Sequence, residues 1–227
     1  MPAHSRVSTQ GKIDCYAITK VVKIHYALSS RYYLALPLLF SISWQGAFSV
    51  TLSTIFGSPK FRPPNTGSVD PVFDELIRDR FAAVHGQANR GELFQWRREP
   101  IGRLAEIIVL DQFSRNMHRG KADAFAIDAM ALVLAKEAVA ACADQTLTAE
   151  ERVFLYMPYM HSESKVVHEI ALQLFDVNGV GNNAEFERRH KAIIDRFGRY
   201  PHRNAILGRA STPEESEFLV QSGSSFL

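Results

Sequence analysis

The chain has 227 residues, 46% of them hydrophobic and 22% charged, enough for one ordinary domain with a buried core plus an appendage. Its net charge of +2 hides two opposite parts: residues 1–66 hold seven Lys and Arg against Asp14 alone, whereas residues 67–227 hold nineteen against twenty-three Asp and Glu. An acidic folded part excludes electrostatic nucleic-acid binding, which needs clustered positive charge. Cys15 and Cys142 lack metal-type spacing, so neither a disulfide framework nor a zinc site is expected, and a reducing compartment follows.

In chain order, the first feature is apolar. No charged residue stands between Tyr32 and Pro59, and Leu34–Phe56 is 23 residues long, enough to span a bilayer. Eight Ser, Thr, Gln and Gly residues dilute it, and about thirty residues precede it, which disfavours a secretory signal. Arg6, Lys12, Lys20, Lys23 and Arg31 lie before it, so the positive-inside rule would push the following domain across the membrane. That conflicts with a domain of cytoplasmic character. Residues 1–69 are therefore read as an extension of three alternative kinds: a segment foreign to the natural protein (a misplaced start or a frame slip), a membrane helix at 34–56, or an added packing element. Lys60–Ser68, with Pro63, Pro64 and Gly67, reads as a linker.

Residues 70–227 then read as helices throughout. Asp70-Pro71 combines an N-cap with proline at the first helical position, and Phe73, Leu76, Ile77, Phe81 and Val84 recur at helical spacing. Further helices are expected over Ile101–Phe113, Ala122–Ala143, from the capping box Thr148–Glu151, and over Ser164–Val177 and Ala184–Phe197. Ala122–Ala143 is nearly apolar all round and should be the most buried, with Cys142 a small filler. Pro158 should end or kink its helix, because it has no N–H and clashes one turn back. Thr212-Pro-Glu-Glu215 opens a short terminal helix. Short connections favour antiparallel neighbours, so the fold class is all-α: antiparallel helical hairpins in an array or bundle.

Some polar residues fall where this pattern predicts burial. Asp111 continues the Leu104–Ile108 face, with Arg115 one turn on as its expected partner. His190 sits within the stripe Phe186–Phe197, and His161 follows Phe154 and Met157. His161 and Glu163 stand two apart, which is not metal spacing on a helix. The run Arg196–Arg209 places Arg199, His202, Arg203 and Asn204 in a structured turn that could grip a carboxylate or phosphate. The plainer reading of each is a satisfied core histidine or a structural ion pair. No Gly-rich phosphate loop, serine elbow or zinc-protease motif is present, and no cofactor is implied.

Three segments carry a family resemblance: Leu110-Asp-Gln-Phe-Ser-Arg-Asn-Met-His-Arg119, Phe154-Leu-Tyr-Met-Pro-Tyr-Met-His-Ser-Glu163, and His190 followed by Asp195-Arg-Phe-Gly-Arg-Tyr-Pro-His-Arg-Asn-Ala-Ile-Leu-Gly-Arg209. Residues 73–226 resemble a bacterial family of uncharacterised proteins, domain of unknown function 924. The resemblance implies a tetratricopeptide-repeat-like helical-hairpin fold, a cytoplasmic protein and no established activity. It matches Asp111, Gln112, Arg115, Asn116, Arg119, His161, Glu163, Arg199, His202, Arg203 and Asn204 to motif positions without assigning them roles. The family's aromatic opening before Phe73 is missing here, with only Thr54–Gly57 as a faint echo. The first expectation for function is a binding module for a peptide, a protein or a small anionic ligand. The alternatives are a small-molecule enzyme of hydrolase or transferase type, and an adaptor tethered to the inner membrane through residues 34–56.

Overall fold

The structure is a computed structural model, and it describes residues 70–224. These all lie in one compact unit of the chain. The expectations for the apolar segment 34–56, the linker and the missing aromatic opening fall outside the described residues. Among those described, no helix is long and apolar enough to cross a membrane.

The described residues are helical, and no strand occurs among them. Helix α1 (Pro71–Asn89) starts as its sequence dictates: Asp70 Oδ1 accepts from Phe73 N at 3.0 Å, with Pro71 in the first turn. A 3-10 turn (Phe94–Arg98) leads into α2 (Pro100–Ile108). Helix α2 does not stop at Phe113 as expected. It loosens into a π-helical turn over Val109–Phe113 and continues as α3 (Ser114–Met117).

The expected helix over Ala122–Ala143 is broken. Ala122–Ala124 forms a 3-10 turn, and α4 runs only over Asp128–Ala140. Nor is α4 buried all round. Ala131, Ala135 and Ala138 make a narrow buried stripe, while Val133 is 58% exposed, because alanines let the neighbouring helices approach on one side only. Cys142 is not a helical filler: it stands in a left-handed turn at φ 55° and is disulfide-bonded, which corrects the expectation of no disulfide.

Helix α5 (Ala149–Met160) opens with the expected Thr148–Glu151 capping box. It runs two residues past Pro158, which therefore neither ends it nor removes its last turn. Helices α6 (Lys165–Asn178) and α7 (Asn183–Phe197) end on Gly179 and Gly198, both at positive φ. A 3-10 turn (Pro201–Arg203) and the capped α8 (Pro213–Leu219) complete the described chain.

Sequential neighbours pack on one another: α4 on α5, α5 on α6, and α6 on α7, with α2 lying against both α4 and α5. The main core gathers Ile77 and Phe81 of α1, Leu104 to Phe113 around the π turn, Leu155 and Tyr159 of α5, and Phe175 of α6. Phe81 and Phe113 meet at 4.8 Å between ring centroids. A second, smaller cluster joins Ile193, Ile194 and Tyr200 with Phe197 and Phe218.

Candidate functional site

The π turn carries Asp111 into the interior, where its side chain is 1% exposed. A buried carboxylate needs compensation, and Asp111 has three partners. Arg115 Nη1 lies 3.0 Å from Oδ1, His161 Nδ1 lies 2.8 Å from the same oxygen, and Gln112 Nε2 donates to Oδ2. Burial pushes the Asp111 carboxyl up, but Arg115 and His161 outweigh it and hold it well below the usual carboxylate range. The ionised carboxylate fixes the imidazole tautomer: His161 donates from Nδ1, and Nε2 has no hydrogen-bond partner among the described residues. Burial and the Arg115 cation push His161 down against the pull of Asp111, so the ring is neutral near pH 7.

Arg115 reaches beyond Asp111. Its guanidinium forks onto Asp128 at 2.9 and 3.0 Å, and Asp128 stands at the first position of α4 because the helix breaks before it. Arg203, only 8% exposed, approaches Asp128 at 3.5 Å, at the limit of a hydrogen bond. Its guanidinium lies 4.6 Å from the ring centroids of both Phe125 and Tyr200. Arg203 Nε is buried and has no hydrogen-bond partner among the described residues. Burial and the neighbouring Arg115 cation push the Arg203 guanidinium down, the mark of a buried cation short of negative charge. The cluster meets solvent through Arg115, His161 and Asp128, whose side chains are 16%, 17% and 20% exposed.

Tyr200 is fully buried and organises the histidines. Its ring faces His190 at 5.8 Å, His202 at 5.4 Å and His168 at 6.3 Å between centroids, and its hydroxyl donates to Met160 O. Burial pushes His190 down to about 3, while its Nδ1 donates to Phe186 O at 2.8 Å. Burial, then Arg203, pushes His202 down to about 4. Both rings are neutral near pH 7. His168 differs: Nε2 donates to Ser162 O at 2.8 Å, and Nδ1 lies 2.7 Å from Glu187 Oε1, both side chains fully buried.

The remaining expected residues do other work. Glu163 receives both terminal nitrogens of Arg209, at 2.6 and 2.9 Å, and the Tyr200 amide at 2.8 Å, which ties the α5–α6 turn to the Arg196–Arg209 run. Arg199 forks onto Glu215 at 2.6 and 2.8 Å, Asn204 donates to the same carboxylate, and together they pin α8. Asn116 and Arg119 both bind Asp74 of α1, at 2.7 and 2.6 Å. The three motif segments thus bring Asp111, Gln112, Arg115, His161, His202 and Arg203 into one neighbourhood around Tyr200, with His190 beside them. Asn116 and Arg119 stand apart, and so does Arg199.

His85 Nε2 lies 2.8 Å from Ser114 Oγ, but this is not a nucleophile and its base. Ser114 is fully buried and its proton goes to Leu110 O. Among the described residues, no group of three His, Cys, Asp or Glu side chains is arranged to hold a metal.

The sequence pattern of the family described as "Bacterial protein of unknown function (DUF924)" matches residues 59–223. The chain belongs to that family. Among solved structures, this DUF924 chain is similar to the protein of unknown function ATU0120 from Agrobacterium tumefaciens, at 35% identity and a TM-score of 0.70, over 76% of this chain and 97% of that one. No curated protein matches.

Asp128, Phe125, Tyr200 and Arg209 join this cluster without having been singled out as candidate residues from the sequence. Asp128 was hidden because an unbroken helix over 122–143 made it one more exposed acid. A count of charges in the Arg196–Arg209 run against the unpaired Glu163 could have found Arg209.

Proposed function

We propose that the cluster around Tyr200 binds a small molecule through its carboxylate, with Arg203 as the anchor. One observation carries this: among the described residues, Arg203 is a buried guanidinium with a bare Nε and Asp128, at 3.5 Å, as its only carboxylate contact. Asp128 is already forked by Arg115, so the negative charge beside Arg203 is spoken for. Two arginines and two aspartates cancel, which suits a singly charged ligand that completes Arg203 rather than a polyanion. A guanidinium fork matches a carboxylate in geometry and in charge. Phe125 and Tyr200 supply the apolar walls that such sites use to orient a ligand. The run of helical hairpins supports a tetratricopeptide-like array as scaffold, and a peptide C-terminus is one carrier of the carboxylate.

The test is a thermal-shift panel of mono- and dicarboxylates, with native mass spectrometry of the purified protein to identify a retained ligand. A ligand at one hundred times its Kd stabilises the folded state by about 2.7 kcal/mol, a rise of several degrees for a domain of this size. Arg203→Gln should abolish the rise, with circular dichroism verifying the fold. A rise of the same size in the folded variant overturns the assignment.

One observation favours a second reading, a small-molecule enzyme. The Asp111–His161 pair holds a neutral imidazole with Nε2 unpartnered among the described residues, the arrangement of a general base. Once a ligand is known, His161→Gln should keep its binding and remove any turnover; turnover at the native rate in that variant rejects the reading.

A further inference from the structure

The opposite end of α3 carries a second, independent feature. Between α1 and α3 lies an open groove of about 490 Å³, a volume within the range of small-molecule sites. Arg78 and His85 of α1 face His118 and Lys121 across it, and no carboxylate lines it among the described residues. In a domain whose acids outnumber its bases, such a concentration of cations without acids is unusual.

The acid that feels the charge of Arg78 is already used. Asp74 lies close enough to Arg78 for its carboxyl to be pulled down by that cation, but Arg119 and Asn116 hold both of its oxygens. Arg78 is steadied by donating from Nη2 to Met117 O at 3.0 Å and forms no ion pair among the described residues. Neither does Lys121. Among the described residues, the two permanent cations that share this groove therefore have no ion-pair partner.

The imidazoles refine the ligand chemistry. His85 commits Nε2–H to Ser114 Oγ, because that hydroxyl gives its own proton to Leu110 O. The remaining polar atom of the neutral ring, Nδ1, is an acceptor. His118 stacks near it at 5.7 Å between centroids and makes no hydrogen bond through its ring among the described residues. A ligand matched to this groove offers several anionic oxygens to Arg78 and Lys121 and one hydroxyl proton to an imidazole. Phosphate and phosphate monoesters can do both, because near neutral pH a fraction of them keeps the second proton, whose pKa is about 6 in a monoester. A carboxylate or sulfate has no such proton.

We propose that this groove binds a phosphate group, free or carried on a small molecule. It is separate from the Tyr200 cluster in both residues and charge. The test is isothermal titration calorimetry of the full chain with inorganic phosphate, pyrophosphate and sulfate at fixed ionic strength. Phosphate should bind one to one, and at least about fivefold more tightly than sulfate, which cannot donate a proton to His85 or His118. Removing both cations in Arg78→Gln/Lys121→Gln, at exposed positions that leave the core intact, should weaken phosphate by roughly tenfold or more. Arg203→Gln should leave phosphate binding unchanged. No binding, equal binding of sulfate, or loss in Arg203→Gln with retention in the double variant would each overturn the proposal. Comparing inorganic phosphate with glycerol phosphate then separates a free anion from an ester.

Discussion

At the scale of single residues, the decisive contrast is between buried charges that are fully satisfied and those, such as Arg203, that are not. Glu106 is fully buried yet receives both nitrogens of Arg97 at 2.7 Å, and Glu215 is held down to about 2, first by Arg199, because four donors converge on it. Arg203 has no comparable set. Asp111 lies between these cases, since its loss would leave Arg115 with Asp128 still in place. Asp111→Asn should therefore destabilise the protein by about 2–3 kcal/mol, short of the roughly 3–5 kcal/mol that follows when a buried charge is left wholly unpaired. Urea denaturation of the two proteins measures it. A loss under about 1 kcal/mol would mean that Arg115 and His161 do not depend on Asp111.

At the scale of elements, the π turn and the glycine at the start of α2 shape the site. A π turn widens the helix by one residue, and such turns recur where a side chain must be re-aimed; here it lies at Val109–Phe113, around Asp111. Gly102 has a different constraint. A Cβ there would lie 2.0 Å from the Trp96 carbonyl oxygen, so the 3-10 turn and α2 sit too close for any side chain. Alanine would add about 1 kcal/mol of helix propensity, but the clash is with backbone and costs about 3 kcal/mol, the upper end for overpacking. Overpacking wins. Gly102→Ala should lower the melting temperature by roughly 4–8 °C at about 2–4 °C per kcal/mol for this size. A calorimetric melt that rises instead would show that the 3-10 turn can yield.

At the scale of the whole molecule, the buried histidines set the response to acid. His161, His190 and His202 all lie below their ordinary 6.5 in the folded state, with burial the largest cause in each. As pH falls below 6.5 the unfolded chain takes up these protons first. The stability they contribute is thus full above 6.5 and lost as pH falls toward about 4 for His202 and about 3 for His190. Glu187 runs the other way: burial pushes its carboxyl up, so its contribution is full below 4.5 and lost as pH rises. With His85, which burial also pushes down, four histidines outweigh one carboxylate, each worth up to about 1.4 kcal/mol per pH unit. The urea midpoint should fall steadily from pH 7 to pH 5, and His190→Gln should flatten the slope. A level profile across that range would contradict neutral histidines in the native state.

How much of this could be read from the sequence depends on how local the cause is. The all-helical class, the Asp70, Thr148 and Thr212 caps and the Gly179 and Gly198 stops were legible, because a cap or stop is decided within one turn of chain. Asp111 with Arg115 was legible for the same reason, being one helical turn apart. The break before Asp128 was not, because alanine and leucine favour a continuous helix and nothing local opposes it. Nor was the course of α5 past Pro158, which packing in the core sustains against the missing N–H. Above all, propensity and periodicity say nothing about which charges meet. Arg203 and Asp128 are separated by 75 residues, and only the stacking of α4 and the Arg196–Arg209 run around Tyr200 brings them together. Coulomb and desolvation energies depend on distance in space, and that distance exists only once the chain has folded.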